Sequence, residues 1–180
     1  MTLLVLFSLG NMTAAISHAQ TPVTVRVVGP AAPVQVGATF PVSITIENAQ
    51  NLGAFEFEYR YDNTVVSTNA QAIQLGSLLG STGRTTGALR LASAPGFPGV
   101  PLFGAYSYGS VNGPNGNGTL ATVTMTAVAP GTSTLNLGNL KIINITGTEV
   151  TFNAVSSSVI VAGVPPDSFL YLPILRHNAP

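Results

Sequence analysis

The stretch NLGAFEFEYRYDN, Asn51 to Asn63, alternates with a period of two. Phe55, Phe57, Tyr59 and Tyr61 fall on one side of an extended strand, and Glu56, Glu58 and Arg60 on the other. Burying each aromatic ring contributes about 1.5–3 kcal/mol, so this strand is expected at the centre of a core. Three of the chain's twelve formal charges stand on its opposite face. In a protein so poor in charge, that cluster is the leading candidate for a recognition surface.

Composition bounds the rest. The chain has 180 residues, no Cys or Trp, 7% charged residues and a net charge of +0, so it lacks the basic footprint of a nucleic-acid or acidic-lipid binder. Gly (19) and Pro (13) punctuate a sequence rich in Val, Ile, Thr and Ser, the usage of an all-β protein with many turns. With 46% hydrophobic residues, a single domain of this length buries roughly 70% of its unfolded surface and needs neither disulfide nor metal to hold it.

Leu3 to Leu9 is apolar and is followed by Ser17-His18-Ala19, small residues where a signal peptidase reads. Residues 1–19 are therefore expected to be a secretory leader, although no Lys or Arg precedes the apolar run. The run is too short to span a membrane, which takes about 20 apolar residues. A sandwich domain is expected over 20–163 and a separate tail over 164–180.

Within the domain, strands are expected over Thr21–Val28, Thr39–Glu47 and Asn51–Tyr61, where the Asp62 side chain accepts from the backbone two residues on. Val65–Leu79 reads as a short strand and a loop. Ala88–Ala94 reads as a strand with Leu89 and Leu91 inward and Arg90 outward. Pro95–Gly118 reads as one long irregular insertion carrying Tyr106 and Tyr108. Thr119–Val128, Thr132–Ile145, Glu149–Phe152 and Val155–Val161 complete nine strands, hence a two-sheet antiparallel sandwich.

The order of landmarks resembles the cohesin domain family. Val36-Gly37 precedes a strand, Leu52-Gly53 turns into Phe57 and Tyr61-Asp62, Gly118-Thr119-Leu120-Ala121 opens a strand, and Ala129-Pro130-Gly131-Thr132 closes it. Asn63 stands where the family usually has Pro. The resemblance spans roughly Val23 to Ala162 and implies a nine-stranded jelly roll. It also implies binding of a dockerin module through one flat sheet face, with calcium held by the dockerin. By the same resemblance Glu56 and Glu149 fall at acidic contact positions, Ala54 replaces a polar one, and Arg90 falls at an outward position often apolar in the family. Glu58 and Arg60 share the outward side with Glu56. An ordinary solvated face competes with this reading.

Other chemistry is weaker. Glu56 and Glu58 are about 7 Å apart by strand rise, but both project one way from one strand, whereas a glycosidic bond is flanked from two sides. The only histidines are His18 and His177, outside the domain, so no Ser/His/Asp group assembles within it. Asn112–Gly118, NGPNGNG, contains no carboxylate and reads as a turn rather than a calcium loop. No metal or other cofactor is implied. Tyr106 and Tyr108 share one side if extended and would suit sugar stacking. Phe169 to Arg176, FLYLPILR, resembles the Tyr-Leu-Pro-apolar-apolar-Arg endings of some secreted bacterial proteins, or supplies an extra edge strand interrupted by Pro173. The expected function is a secreted, non-enzymatic protein-binding module. A surface adhesive or structural subunit and a carbohydrate-binding module are the alternatives.

Overall fold

A computed structural model describes residues 21–163, so the leader and tail readings lie outside the described residues. Twelve strands form two six-stranded sheets packed face to face. The first contains β1 (Val23–Val28), β3 (Thr39–Ala49), β5 (Val66–Ser67), β6 (Ile73–Leu75), β9 (Gly116–Ala127) and β11 (Phe152–Val155). Its order is β11-β1-β3-β9-β5, with β6 also on β9. The second runs β2-β12-β10-β4-β8-β7. Here β2 is Val34–Gln35, β4 Leu52–Arg60, β7 Thr85–Leu91, β8 Leu102–Tyr108, β10 Gly131–Asn144 and β12 Ser157–Ala162. Pairing is antiparallel except for β1 with β11 and β12 with β2.

The sandwich expected from the alternation is present, with twelve strands in place of nine. Val65–Leu79 divides into β5, a 3-10 turn and β6. The two-residue β2 follows Pro33, and the last two strands do not pair with each other: Phe152–Val155 joins β1 in the first sheet and Ser157–Ala162 joins β10 in the second. The most consequential difference is β8, which lies inside the stretch expected to be irregular. Leu102–Tyr108 is a full strand between β4 and β7. Its alternation is masked because Leu102, Phe103, Gly104 and Ala105 are all buried, so neither side reads as wet.

Strand β4 delivers the core it promised. Phe55, Phe57 and Tyr59 are buried, and Phe103 from β8 completes an aromatic cluster with ring centroids 5.7–6.2 Å apart. The facing sheet contributes Val25, Val42, Ile44, Val123 and Met125. Tyr59 crosses between the sheets, its hydroxyl 3.2 Å from Met125 Sδ, and burial pushes its phenol pKa up. Tyr61, half-buried at the sandwich end, donates to the Thr68 carbonyl. Asp62 Oδ1 accepts from both the amide and the hydroxyl of Thr64, the turn expected there, and these bonds hold the exposed carboxyl below its ordinary pKa.

NGPNGNG is a clamp on the β3–β4 turn. Asn115 Oδ1 accepts from the Asn51 amide, Asn117 Oδ1 from the Asn48 amide, and Gly113 donates to Asn51 Oδ1. Asn48 and Asn51 have φ of 58° and 51°, left-handed conformations that Asn tolerates better than other side chains.

Candidate recognition face

Cross-strand register decides which side chains share the outer face of the second sheet, because directly paired residues point the same way. One row reads Lys141, Glu56, Gly104, Leu89 across β10, β4, β8 and β7. The next toward the loop end reads Gly138, Glu58, Leu102, Leu91, and the next the other way Ile143, Ala54, Tyr106, Gly87. Tyr108 pairs with Thr85 beyond them. The face is therefore charged over β10 and β4 and apolar over β8 and β7. Leu89, Tyr106 and Tyr108 are 52%, 54% and 57% exposed.

This register corrects two expectations. Leu89 and Leu91 point outward and Arg90 inward, because Arg90 pairs with buried Phe103. Its guanidinium lies 5.2 Å from the Phe103 ring centroid, and Nε donates at 2.8 Å to the Ile73 carbonyl at the margin of the opposite sheet. An Arg can point inward here because β7 is the sheet edge and its long stem reaches across the open seam. Arg90 therefore lies off the face that carries Glu56. Tyr106 and Tyr108, expected in a loop, stand on that same face.

Glu58 is on the outer side, as alternation requires, yet it is only 3% exposed. Two neighbours bind its carboxylate. Arg60 donates to Oε2 from Nη2 at 2.6 Å and from Nε at 3.2 Å, and Asn139 Nδ2 donates to Oε1 at 2.6 Å. Asn139 gets there through a β-bulge, in which Asn139 and Leu140 oppose the single residue Phe57, and Asn139 takes a φ of 45°. Arg60 lies across Gly138, where a Cβ would stand 2.3 Å from its Nε. The Ala94–Val100 turn between β7 and β8 brings Phe97 4.7 Å from the guanidinium carbon, as ring centroid to Cζ. The hydrogen bonds from Arg60 outweigh desolvation and hold the Glu58 carboxyl below its ordinary pKa. Glu58 is thus tied at both oxygens and almost covered, and Glu56 leaves the same face of the same strand, so the two carboxylates do not flank a glycosidic bond from two sides.

Glu56 is half-exposed and paired with Lys141, whose Nζ lies 3.7 Å from Oε1. Glu149 joins it through an isolated bridge to Ile143 at the outer margin of β10. Glu56, Glu58 and Glu149 together line a concavity of about 480 Å³ whose other walls include Pro95, Leu102, Leu140 and Lys141. Sequence reasoning thus found Glu56, Glu58, Arg60 and Glu149, which come together, and Arg90, which does not. It missed Lys141, Asn139, Phe97 and the outward Leu89 and Leu91. Only the alternation of Leu102 to Tyr108, once paired with β4, exposes the last two.

Among the described residues no group of acidic or histidine side chains is arranged to hold a metal, and no helix is long and apolar enough to cross a membrane.

Comparison with known proteins agrees with this architecture. A non-cellulosomal cohesin from Archaeoglobus fulgidus superposes with a TM-score of 0.63 at 20% identity, covering 79% of this chain and 92% of that one. A cohesin module of a family 33 glycoside hydrolase from Clostridium perfringens gives 0.63 at 17% identity, covering 80% and 99%. The cohesin of a type I cohesin–dockerin complex from Clostridium thermocellum gives 0.62 at 13%, covering 82% and 100%. No curated protein matches the chain. The family model for the cohesin domain matches residues 23–161, and on that match the chain belongs to the cohesin domain family.

Proposed function

We propose that this chain is a non-catalytic, exported module that captures a dockerin-like protein partner on the outer face of β10, β4, β8 and β7. The observation that carries the reading is the uneven distribution of its side chains. Five of its twelve charged residues, Glu56, Glu58, Arg60, Lys141 and Glu149, stand on or beside one face that also holds the most exposed tyrosines among the described residues. A flat surface with an apolar half and a charged half suits a folded partner, the apolar half giving affinity and the charges register and on-rate. Family membership and a solved complex of a similar fold with a dockerin support the choice of partner class. The leader-like residues 1–19 support export.

Capture of the full chain on immobilised dockerin modules tests the reading. Glu56→Lys places a positive charge beside Lys141 and is expected to weaken capture about tenfold or more without lowering the melting temperature. Reversal of Glu47, paired with Arg26 on the other sheet, is expected to leave capture unchanged. Equal capture by wild type and Glu56→Lys refutes the assignment of the face.

A further inference from the structure

We propose that Tyr106 and Tyr108, on the apolar half of the same face, form a carbohydrate-binding platform for a neutral pyranose polymer, a second ligand class for that half beyond the protein partner. The two residues lie two positions apart on β8 and leave its outer side together, with ring centroids 6.4 Å apart and planes 28° from parallel. Among the described residues neither phenol oxygen has a hydrogen-bond partner, whereas the hydroxyls of Tyr59 and Tyr61 each have one. Buried or structural tyrosines ordinarily satisfy that group. These two present theirs to solvent.

Tyr106 does not stand upright. A Cβ at Gly87 would lie 2.5 Å from its Cζ and 2.6 Å from its hydroxyl, so the ring leans down over the edge strand. Covering an edge glycine with an aromatic is a known device for steadying a sheet, and it accounts for Tyr106 alone. Tyr108 pairs with Thr85, which has its own side chain, so the second ring covers no glycine. Beside the pair, Gly104 and Ala54 leave the sheet low across β8 and β4.

The platform is held rigid from below. Arg84 donates to the Ser107 hydroxyl and carbonyl and to the carbonyls of Gly109 and Val111, bracketing Tyr108 on both sides. A surface ordered in advance loses less entropy on binding. The chemistry fits a sugar. A pyranose face offers electropositive C–H groups to the negative face of an aromatic ring, and its hydroxyls bond to phenols at the rim. The surroundings favour a neutral chain, because Arg84 is buried with its donors turned to Ser107, Gly109 and Val111, and Lys141 on the same face is paired with Glu56.

The test is native affinity electrophoresis of the full chain in gels containing hydroxyethylcellulose, xylan or, as the acidic polymer, polygalacturonate. Retardation by a neutral polymer is expected. The Tyr106→Ala/Tyr108→Ala double variant is expected to weaken it about tenfold, and Tyr108→Ala alone, which uncovers no glycine, to weaken it at an unchanged melting temperature. Phenylalanine at both positions is expected to keep most of it, and Glu56→Lys all of it. Mobility unaffected by both neutral polymers, retardation only by polygalacturonate, or equal retardation of wild type and the double variant overturns the proposal. Because Glu56→Lys separates sugar retention from protein capture, either function can fail without the other.

Discussion

Removing the Glu58 carboxylate measures how far this outer-face residue behaves as part of the interior. On an ordinary solvated face Glu58→Ala would cost less than about 0.5 kcal/mol. The structure sets a larger figure, because Glu58 is 3% exposed and accepts three hydrogen bonds, two of them from a cation. A fully buried broken pair costs roughly 3–5 kcal/mol, and an exposed one roughly 0–1. Arg60 is 41% exposed by side chain and rehydrates when released, which places the expected loss between these limits, at about 1.5–2.5 kcal/mol. Glu58→Gln is expected to cost nearly as much, since its amide nitrogen opposes one of two donors. Urea midpoints at neutral pH read the loss, with Glu56→Ala as the comparison. Acid supplies a second reading. The folded-state pKa of Glu58 is depressed, so its contribution is fully present above the unfolded value of 4.5 and is lost as pH falls through the lower folded value. The gap between wild type and Glu58→Gln should therefore close in acid, and the shared response of Asp62 cancels from the difference. A loss no larger than that of Glu56→Ala, or a gap unchanged from neutral pH to pH well below 4.5, would refute the account.

Phe57→Ala removes the ring stacked on Phe55 and tilted against Phe103 and is expected to cost about 3–5 kcal/mol by denaturant midpoint. Arg90→Ala leaves the Ile73 carbonyl without its donor and uncovers Phe103, so a loss of about 1–2 kcal/mol is expected. Because its side chain is off the outer face, capture of a dockerin module should not change, and weakened capture at unchanged stability would return Arg90 to the face.

What was legible in the sequence, and what was not, follows from how many sides of each strand are dry. Strand β4 has aromatics on one side and charges on the other, so its faces could be read directly. Strand β8 lacks that contrast, because its outer side carries Leu102, Gly104, Tyr106 and Tyr108 and no charged side chain. Periodicity then loses its contrast, and the flanking Pro and Gly make the strand resemble a loop. The same cause inverted β7. Placing leucines inward and arginine outward is the sound default, and it fails where an edge arginine reaches across the seam while leucines serve a surface. The bulge that delivers Asn139 to Glu58 leaves only the Gly138-Asn139 pair as its trace, which is common in turns.

The two outer faces of the sandwich show what the recognition face costs and how it is protected. On the first sheet, Thr39 pairs with Thr126, Ser43 with Thr122 and Thr45 with Thr119, so rows of short hydroxyl side chains meet solvent and leave little to grip. The second sheet exposes leucine and tyrosine beside an edge strand in a chain of zero net charge, a combination that favours unwanted association. Strand β7 is the vulnerable element, with seven residues whose outer backbone groups have no neighbouring strand among the described residues. Arg90 counters this, since a charged side chain pointing inward at an edge penalises a docking strand that would close the seam over it. Protection at the edge leaves the face itself open. The arrangement therefore admits a partner that lies across β10, β4, β8 and β7, and it resists one that would extend the sheet by adding a strand to β7.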